Sequence, residues 1–288
     1  MKPGTSAIVT VAFGHSTERL DYTFLSFAEK NPGVPLHAFI LGEALPQKRL
    51  PQITYHLVPH IADYSHPLRE VYYRRHDLID RLDAEFVLVV DSYDVLCLQP
   101  LPPFEQILAG FDMAAVPEIN GSRYLLGQGH TSHLFNGGAT WWNVGRSRDI
   151  RAEILERGKA RFRMQADDQF SINEVVQTRH FNRVRVLPCQ YNYRPFYRAT
   201  FWQRVRPILS SLHVPSGWRF WPSVDHLDGV LIYHNLTSMD LVKAHAAFQP
   251  RAALPKLARD AEPLLGKSQQ RRRKLQQIFF PGRNVSRD

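Results

Sequence analysis

Runs of apolar residues, separated by polar segments, recur along most of the chain. Residues 7–13, 35–41 and 85–90 are mostly apolar, which is typical of strands that are buried on both faces of a parallel sheet. Residues 53–58 alternate between apolar and polar positions and predict a strand with one exposed face. Four shorter apolar segments predict further strands, at 113–116, 139–144, 184–187 and 229–234.

Helical periodicity separates several of these predicted strands. Between residues 68 and 82 the apolar side chains recur at the spacing of one face of an amphipathic helix. The pattern predicts further helices at 18–30, 147–157 and 167–177, and a glycine-rich loop at 120–138. Strands that alternate with helices favour a Rossmann-like α/β fold, in which helices flank a mainly parallel sheet on both faces.

No linker interrupts this pattern, so we predict a single domain over residues 1–250. Within it, residues 190–226 are rich in aromatic residues, arginine and proline without a clear period. This stretch could stack against sugar rings, or it could form a satellite core. Residues 251–288 contain a cluster of arginines and lysines next to Phe279 and Phe280, and predict a basic C-terminal helical tail.

The composition narrows the class of partner. The 288 residues are sufficient for a sizeable core, and the net charge of +9 favours an anionic partner, such as nucleic acid, an acidic membrane surface or a phosphate-bearing small molecule. The two cysteines, Cys97 and Cys189, adjoin apolar segments, so we expect buried, reduced thiols. The N-terminal segment lacks a signal-peptide pattern and no window approaches the ~20 apolar residues of a membrane span. We therefore expect a cytoplasmic protein.

Two carboxylates follow the apolar run at 85–90, in the segment FVLVVDSYDVL. Asp91 comes where the predicted strand leaves the core, and ligands of open α/β sheets bind beyond the carboxyl ends of the strands. Asp91 and Asp94 would repel each other unless a cation neutralised them, and Mg²⁺ or Mn²⁺ binds well to one or two carboxylates together with substrate phosphates. The alternative is structural, with Asp91 capping a loop and Asp94 pairing with an arginine.

Three other segments carry residues that could join such a site. Asn136, Gly137 and Gly138 precede a predicted strand, where glycines allow a ligand close to the backbone and an amide can bind sugar hydroxyls, although a simple turn explains them equally. Asp167 and Asp168 begin a predicted helix, where they could cap it or act on a substrate. His234, followed by Asn235, ends a late strand and is a candidate third metal ligand or a structural histidine.

The segments DSYDV, FNGG, DDQF and YHN, in this order, resemble the glycosyltransferase domain of the collagen lysyl hydroxylase/glycosyltransferase enzymes. They are also similar to the collagen galactosyltransferases and other enzymes of the GT-A fold. The resemblance covers residues 6 to about 240. It implies a GT-A glycosyltransferase that moves a hexose from a UDP-sugar donor to a glycan, lipid or protein hydroxyl acceptor.

Transferred residue by residue, the resemblance assigns the following roles. It implies that Asp91, Asp94 and His234 bind Mn²⁺, or Mg²⁺, and that Tyr93 lies against the nucleoside. It places Asn136, Asp167 and Asp168 around the donor sugar and the acceptor, with Asp167 and Asp168 as candidate catalytic residues. Gly137, Gly138 and Asn235, in the same segments, are further candidates for binding the donor.

Three departures from the family pattern affect these roles. Asn235 replaces a glycine that follows the histidine in the family, and Gly137 replaces a serine. The family's Gly-Gly-Gln-Lys run is absent, which leaves the residue that contacts phosphate or uracil undefined. Arg74 or Arg75 could take that role, and we favour Arg75 because it interrupts the apolar face of its helix. The alternative for either arginine is a solvated charge on the helix.

Two other classes of function remain open from the sequence. A nucleotidyltransferase would use a similar pair of metal-binding carboxylates but would release pyrophosphate. A nucleic-acid-binding protein would use the positive charge, but the chain carries no RNP-like, zinc-finger or helix-turn-helix motif, so we expect no nucleic acid partner. The basic tail could also contact an anionic membrane, with a solvated helix as the alternative.

Overall fold

The computed structural model describes residues 4–13, 20–61, 64, 67–92, 95–117, 135–161, 168–193 and 230–234. Seven strands form the main sheet, in the order β3-β2-β1-β4-β7-β6-β8. The strands are β1 (Ser6–Ala12), β2 (Leu36–Leu41), β3 (Ile53–Val58), β4 (Phe86–Val90), β6 (Met113–Pro117), β7 (Phe135–Asn143) and β8 (Val184–Val186). Two short strands, β5 (Val95–Cys97) and β9 (Ile232–His234), form a second sheet.

The main sheet is mainly parallel, as the sequence predicts. β1 pairs in parallel with β2 and β4, β2 with β3, and β6 with β8. β7 is antiparallel to both of its neighbours, β4 and β6. This reversal brings the beginning of β7 next to the carboxyl end of β4, with Val90 opposite Ala139.

Helices cover both faces of the sheet. They are α1 (Leu20–Lys30), α2 (Pro67–Leu78), α3 (Phe104–Leu108), α4 (Arg148–Arg161) and α5 (Gln169–Val175), which continues as a π-helical turn, Val176–His180. The strand β4 shows why both faces need cover, because all five of its side chains are buried. Phe86, Leu88 and Val90 pack with α1 and α3, whereas Val87 and Val89 pack with α2, α4 and α5.

The predicted elements are confirmed in most places, with shifts at their ends. The helix predicted over 68–82 becomes α2 and a 3-10 turn, Ile79–Arg81. The strand β5 and the helix α3 were not predicted, because three and five residues are too few to show a period. The prediction of a loop was wrong for residues 135–138, which belong to β7.

Several predictions about the chain as a whole are answered only in part. Cys97 is a buried free thiol, and burial raises its pKa to about 12. The side chain of Cys189, most of residues 190–226 and the basic tail from residue 251 lie outside the described residues. Among the described helices, none has the length and hydrophobicity that crossing a bilayer requires.

Lowering the pH below about 6.5 is expected to destabilise the β2–β3 edge of the sheet. There, His37 Nδ1 lies 3.0 Å from His56 Nε2, a contact that requires one unprotonated nitrogen. Burial lowers the pKa of both rings. The charge of His56 lowers the pKa of His37 further, and the charge of Arg81 does the same for His56. The unfolded chain therefore binds more protons in this window, and the stability present above it is lost as the pH falls.

Urea unfolding at about pH 7.5 and about pH 5.5 measures this effect. The variant His37→Gln is expected to show a smaller change in midpoint between the two pH values than the wild type. An unchanged pH dependence in this variant would show that the pair does not contribute.

Candidate active site

Asp91 occupies the position that the sequence predicts, directly after β4. Its backbone N–H donates to the Gly138 carbonyl at 2.9 Å, which continues the β4–β7 ladder by one bond. Its side chain is 15% exposed, whereas all residues of β4 are buried. The carboxylate therefore emerges from the core at the carboxyl end of a central strand, where ligands of α/β sheets bind.

His234 also approaches Asp91, but by a route that differs from the prediction. We expected it at the end of a strand of the same sheet, whereas β9 pairs antiparallel with β5, with Val95 opposite His234. The strand β5 begins four residues after Asp91, so this pairing returns His234 to the end of β4. His234 Nε2 lies 3.5 Å from Asp91 Oδ2.

Gly137 and Gly138 make room for these side chains within β7. A Cβ atom on Gly138 would overlap the His234 ring and would lie 2.7 Å from Asp91 Oδ2. A Cβ atom on Gly137 would lie 3.0 Å from Arg75 Nη2 and 3.1 Å from Asp168 Oδ1. The two glycines thus serve a close approach of side chains to the strand, and not a turn.

Arg75, on α2, joins two carboxylates that are far apart in sequence. Its Nε and Nη2 donate to Asp168 Oδ2 and Oδ1 at 2.8 and 2.5 Å, and its Nη1 donates to Asp91 Oδ1 at 2.8 Å. The guanidinium also lies over the Tyr72 ring, 5.5 Å from its centroid. Arg75 is buried, so it is not a solvated charge on the surface of α2. Its charge neutralises the carboxylates of Asp91 and Asp168 instead.

Asp168 stands at the N-cap position of α5, but its carboxylate does not cap the helix. It is fully buried, and in addition to Arg75 it contacts His76 Nε2 at 2.5 Å. The capping role that the sequence suggested is therefore wrong for this side chain. Its carboxylate holds two basic groups from α2 instead.

The electrostatics of the cluster keep both carboxylates ionised. Burial favours the neutral form of Asp91, but the contact with His234 and the charge of Arg75 outweigh it, so the pKa of Asp91 lies below its ordinary range. For Asp168 the same balance holds, with Arg75 and His76 overcoming burial and lowering the pKa. Burial also opposes the charge of Arg75, but the two carboxylates raise its pKa overall.

His76 and Arg151 support this cluster from inside the protein. Burial lowers the pKa of His76 against the pull of Asp168, and its ring packs edge-on against Trp142 with centroids 5.6 Å apart. Arg151, almost fully buried on α4, donates to the His76 carbonyl at 2.5 Å and to Asp80 Oδ1 at 2.7 Å. Neither residue was singled out from the sequence, because a histidine or arginine within a helix carries no local signal of burial.

A chain of amides, of which Asn136 and Asn192 are buried, completes the cluster on its other side. Asn136 Oδ1 accepts from Gly138 N at 2.9 Å and from Asn192 Nδ2 at 2.8 Å, and Asn136 Nδ2 donates to Gln169 Oε1 at 3.1 Å. His234 Nδ1 lies 3.1 Å from Asn192 Oδ1. Gln169 belongs to the DDQF segment but was given no role, and Asn192 has no sequence signal at all. Asn136, which we expected to face a ligand, is buried in this chain of amides.

Four of the predicted site residues lie outside the described part of the chain: Tyr93, Asp94, Asp167 and Asn235. Their roles stay predictions. Among the described residues, no three His, Cys, Asp or Glu side chains are grouped so that they could hold a metal ion. Of the three predicted metal ligands, Asp91 and His234 are described and lie side by side, and they could bind a cation together with a ligand from elsewhere.

The fold is shared with solved glycosyltransferases of the GT-A fold. The galactosyltransferase LgtC, solved with donor and acceptor sugar analogues, has a TM-score of 0.57 at 17% identity over 88% of this chain and 95% of its own. The glycosyltransferase GlyE of Streptococcus pneumoniae has a TM-score of 0.51 at 17% identity, over 80% of this chain and 55% of its own. Mouse xyloside xylosyltransferase 1 has a TM-score of 0.52 at 13% identity, over 80% of this chain and 97% of its own.

Sequence comparison adds no narrower assignment. No protein-family model matches the chain, and no curated protein is significantly similar to it. The fold predicted from the resemblance is thus confirmed, whereas the resemblance to the collagen-modifying enzymes in particular is not.

Proposed function

We propose that this chain is a metal-dependent glycosyltransferase that moves a hexose from a UDP-sugar to a hydroxyl group of a glycan, lipid or protein. The observation that carries the proposal is the meeting of Asp91 and His234 against Gly138, where the central strand β4 ends. The solved proteins of the same fold are glycosyltransferases, and one of them was solved with analogues of a donor and an acceptor sugar. A net charge of +9 suits an anionic donor.

The two described ligand candidates fit a divalent cation. Two ligands at ~2.1 Å from one ion are about 3.0–3.4 Å apart, close to the 3.5 Å between Asp91 Oδ2 and His234 Nε2. Asp94 is proposed as the third ligand, because it directly precedes Val95, the residue that pairs with His234. A site with few protein ligands leaves positions for phosphate oxygens, as Mn²⁺ and Mg²⁺ require.

The proposed chemistry divides between the ion and the protein. When bound, the cation would stabilise negative charge on the departing diphosphate as a Lewis acid. Asp91 stays ionised and available to it, because Arg75 binds only its Oδ1 and leaves Oδ2 toward His234. Tyr93 and Asn235 are proposed to contact the donor. Gly137 and Gly138 are proposed to act indirectly, because the space in front of them is filled by the side chains of Arg75, Asp168, His234 and Asp91.

Asp168 is better suited to holding Arg75 than to moving a proton. It is fully buried, binds two basic groups and has a lowered pKa, whereas a general base works best with a pKa near the working pH. Arg75 is then the link that fixes Asp91 relative to α5, rather than the residue that contacts phosphate or uracil. Asp167 keeps its proposed place beside the acceptor.

A thermal-shift screen with UDP-, GDP- and CDP-sugars tests the proposal. We expect a UDP-sugar to raise the melting temperature in the presence of Mn²⁺, and EDTA to remove the shift. Release of UDP, measured with candidate acceptors, would identify sugar transfer, whereas release of pyrophosphate would identify a nucleotidyltransferase. A shift that EDTA leaves unchanged would contradict the metal requirement.

The variant His234→Ala is expected to lose the Mn²⁺-dependent part of this shift and turnover with the donor. The reason is that the imidazole supplies one of few ligands to the ion. His180→Ala is a matched control, because His180 is mostly buried and paired with Glu153 in another part of the fold. Full turnover in His234→Ala would contradict the assignment of His234 as a ligand.

A further inference from the structure

Two backbone N–H groups determine how the side-chain amides beside the site are oriented. A backbone N–H can only donate, so the atom that it meets must be an oxygen. Gly137 N lies 3.2 Å from Gln169 Oε1, and Gly138 N lies 2.9 Å from Asn136 Oδ1. Asn136 Nδ2 in turn donates to Gln169 Oε1, so the two assignments agree with each other.

The same logic extends to the histidine. Asn136 Oδ1 also faces Asn192 at 2.8 Å, and two oxygens cannot share a hydrogen bond without a proton, so Asn192 presents its Nδ2 there. Its Oδ1 then faces His234 Nδ1 at 3.1 Å and can only accept. His234 Nδ1 must therefore carry a proton, and in the neutral ring the lone pair is on Nε2, the nitrogen 3.5 Å from Asp91 Oδ2.

We propose that Asn192 is a positioning residue that keeps the proton of His234 on Nδ1 and so directs the Nε2 lone pair to the place where a divalent cation would meet Asp91. The inference rests on the proposed function for its metal, but the proton position itself is a property of the metal-free protein. Histidine ligands commonly have their second nitrogen fixed by such a partner.

The backbone around Asn192 supports this role. Asn192 ends a 3-10 turn, Cys189–Asn192. The next residue, Tyr193, forms hydrogen bonds to β9 through both its backbone N–H and its backbone carbonyl. Tyr193 N donates to the Ile232 carbonyl at 2.7 Å, and the Tyr193 carbonyl accepts from His234 N at 2.8 Å. The segment Asn192–Tyr193 therefore contacts both the ring and the backbone of His234. The backbone hydrogen bonds fix the position of Asn192 relative to the ring.

The ¹⁵N chemical shifts of the His234 ring in metal-free protein test the proton position. The spectrum is recorded at a pH high enough for the ring to carry a single proton, and His234→Gln identifies the signals. We expect a protonated Nδ1 and an unprotonated Nε2 in the wild type. A free histidine side chain favours the proton on Nε2, so this form in the wild type would overturn the inference, without the need for any Asn192 variant.

Three variants test the part of Asn192. Asn192→Leu is expected to move the proton to Nε2 and to weaken Mn²⁺ binding by about 10- to 100-fold, as loss of a partner behind a metal ligand does. Asn192→Asp keeps an acceptor toward Nδ1 and is expected to keep the proton there, although it lowers stability because it places an oxygen opposite Asn136 Oδ1. Asn143→Leu is the matched control, because Asn143 is a buried amide at the other end of β7 that bonds Arg146 N. It is expected to change neither the proton position nor Mn²⁺ affinity.

These outcomes separate the inference from the proposed function. If the proton stays on Nδ1 in Asn192→Leu, or moves while Mn²⁺ affinity is unchanged, Asn192 does not position a ligand and the inference is overturned. If the wild type shows the expected proton position but does not bind Mn²⁺, the proposed metal site is wrong, whereas the hydrogen-bond relay from Gly138 to His234 is confirmed.

Discussion

Replacing Gly138 with alanine is expected to reduce Mn²⁺ affinity and turnover by at least about 100-fold, because displacing reactive groups by ~1 Å commonly has that cost. The new Cβ would overlap the His234 ring and would lie 2.7 Å from Asp91 Oδ2. Neither side chain can yield freely, because Asn192 holds the ring and Arg75 holds the carboxylate. One methyl group would therefore separate the two proposed ligands.

Two other glycines make this prediction a graded series. A Cβ on Gly145 would have only Asn143 Oδ1 nearby, at 3.9 Å, so Gly145→Ala is expected to have no effect. A Cβ on Gly137 would be tight but not overlapping, 3.0 Å from Arg75 Nη2, so Gly137→Ala is expected to have an intermediate effect.

Isothermal titration with Mn²⁺ and turnover with the best donor from the screen would measure the series, with circular dichroism to verify folding. Equal Mn²⁺ affinity in Gly138→Ala and Gly145→Ala would show that Gly138 does not adjoin the metal site.

Replacing Arg75 with methionine is expected to lower the free energy of unfolding by about 3–5 kcal/mol, since it leaves a buried charge without its partner. Asp168 would lose both hydrogen bonds that Arg75 donates, while its carboxylate remains fully buried. Asp91 would lose the contact that fixes its Oδ1, so turnover is expected to fall as well. Urea unfolding and turnover measure the two effects separately.

A second substitution distinguishes the loss of charge balance from the loss of packing. In Arg75→Met with Asp168→Asn, the uncompensated charge is removed, so part of the stability is expected to return. Turnover is not expected to return, because Asp91 still lacks its partner. If the double variant is no more stable than Arg75→Met, the buried charge is not the source of the loss.

Arg74→Met is the matched control for turnover. Arg74 is a buried arginine of the same helix, but it pairs with Glu70 at 3.2 Å and bonds neither Asp91 nor Asp168 in the described structure. It is expected to lower stability while turnover of the folded fraction stays near the wild-type value. A loss of turnover as large as in Arg75→Met would show that the cluster has no special link to the site.

The sequence predicts the sheet well wherever strands are buried on both faces. β1, β2 and β4 appear in it as apolar runs, because a strand covered by helices on both sides can tolerate few polar side chains. The start of β7 was missed for the opposite reason. Asn136, Gly137 and Gly138 are residues that favour turns, and only contacts from other segments show why a strand would use them.

The position of the charged residue Asp91 in the candidate site could be predicted from the sequence, whereas the positions of the amide side chains could not. Asp91 could be placed because a carboxylate directly after a buried strand must lie at the end of the sheet. Gln169 and Asn192 could not, because an amide is equally common on a surface, and its role depends on the group that it meets. The partners of Asp168 were likewise beyond the sequence, which offered only the helix N-terminus near it.

By itself, the order of apolar runs determines that this chain forms a mainly parallel α/β sheet with Asp91 at the carboxyl end of a strand, because burial of those runs leaves few alternatives. Only the tertiary structure decides that β9 pairs with β5, so that His234 meets Asp91 across Gly138. It also decides that Arg75 joins Asp91 to Asp168. Such contacts join residues up to 143 positions apart in the sequence, and their hydrogen bonds and charges are satisfied only once the core has brought them together.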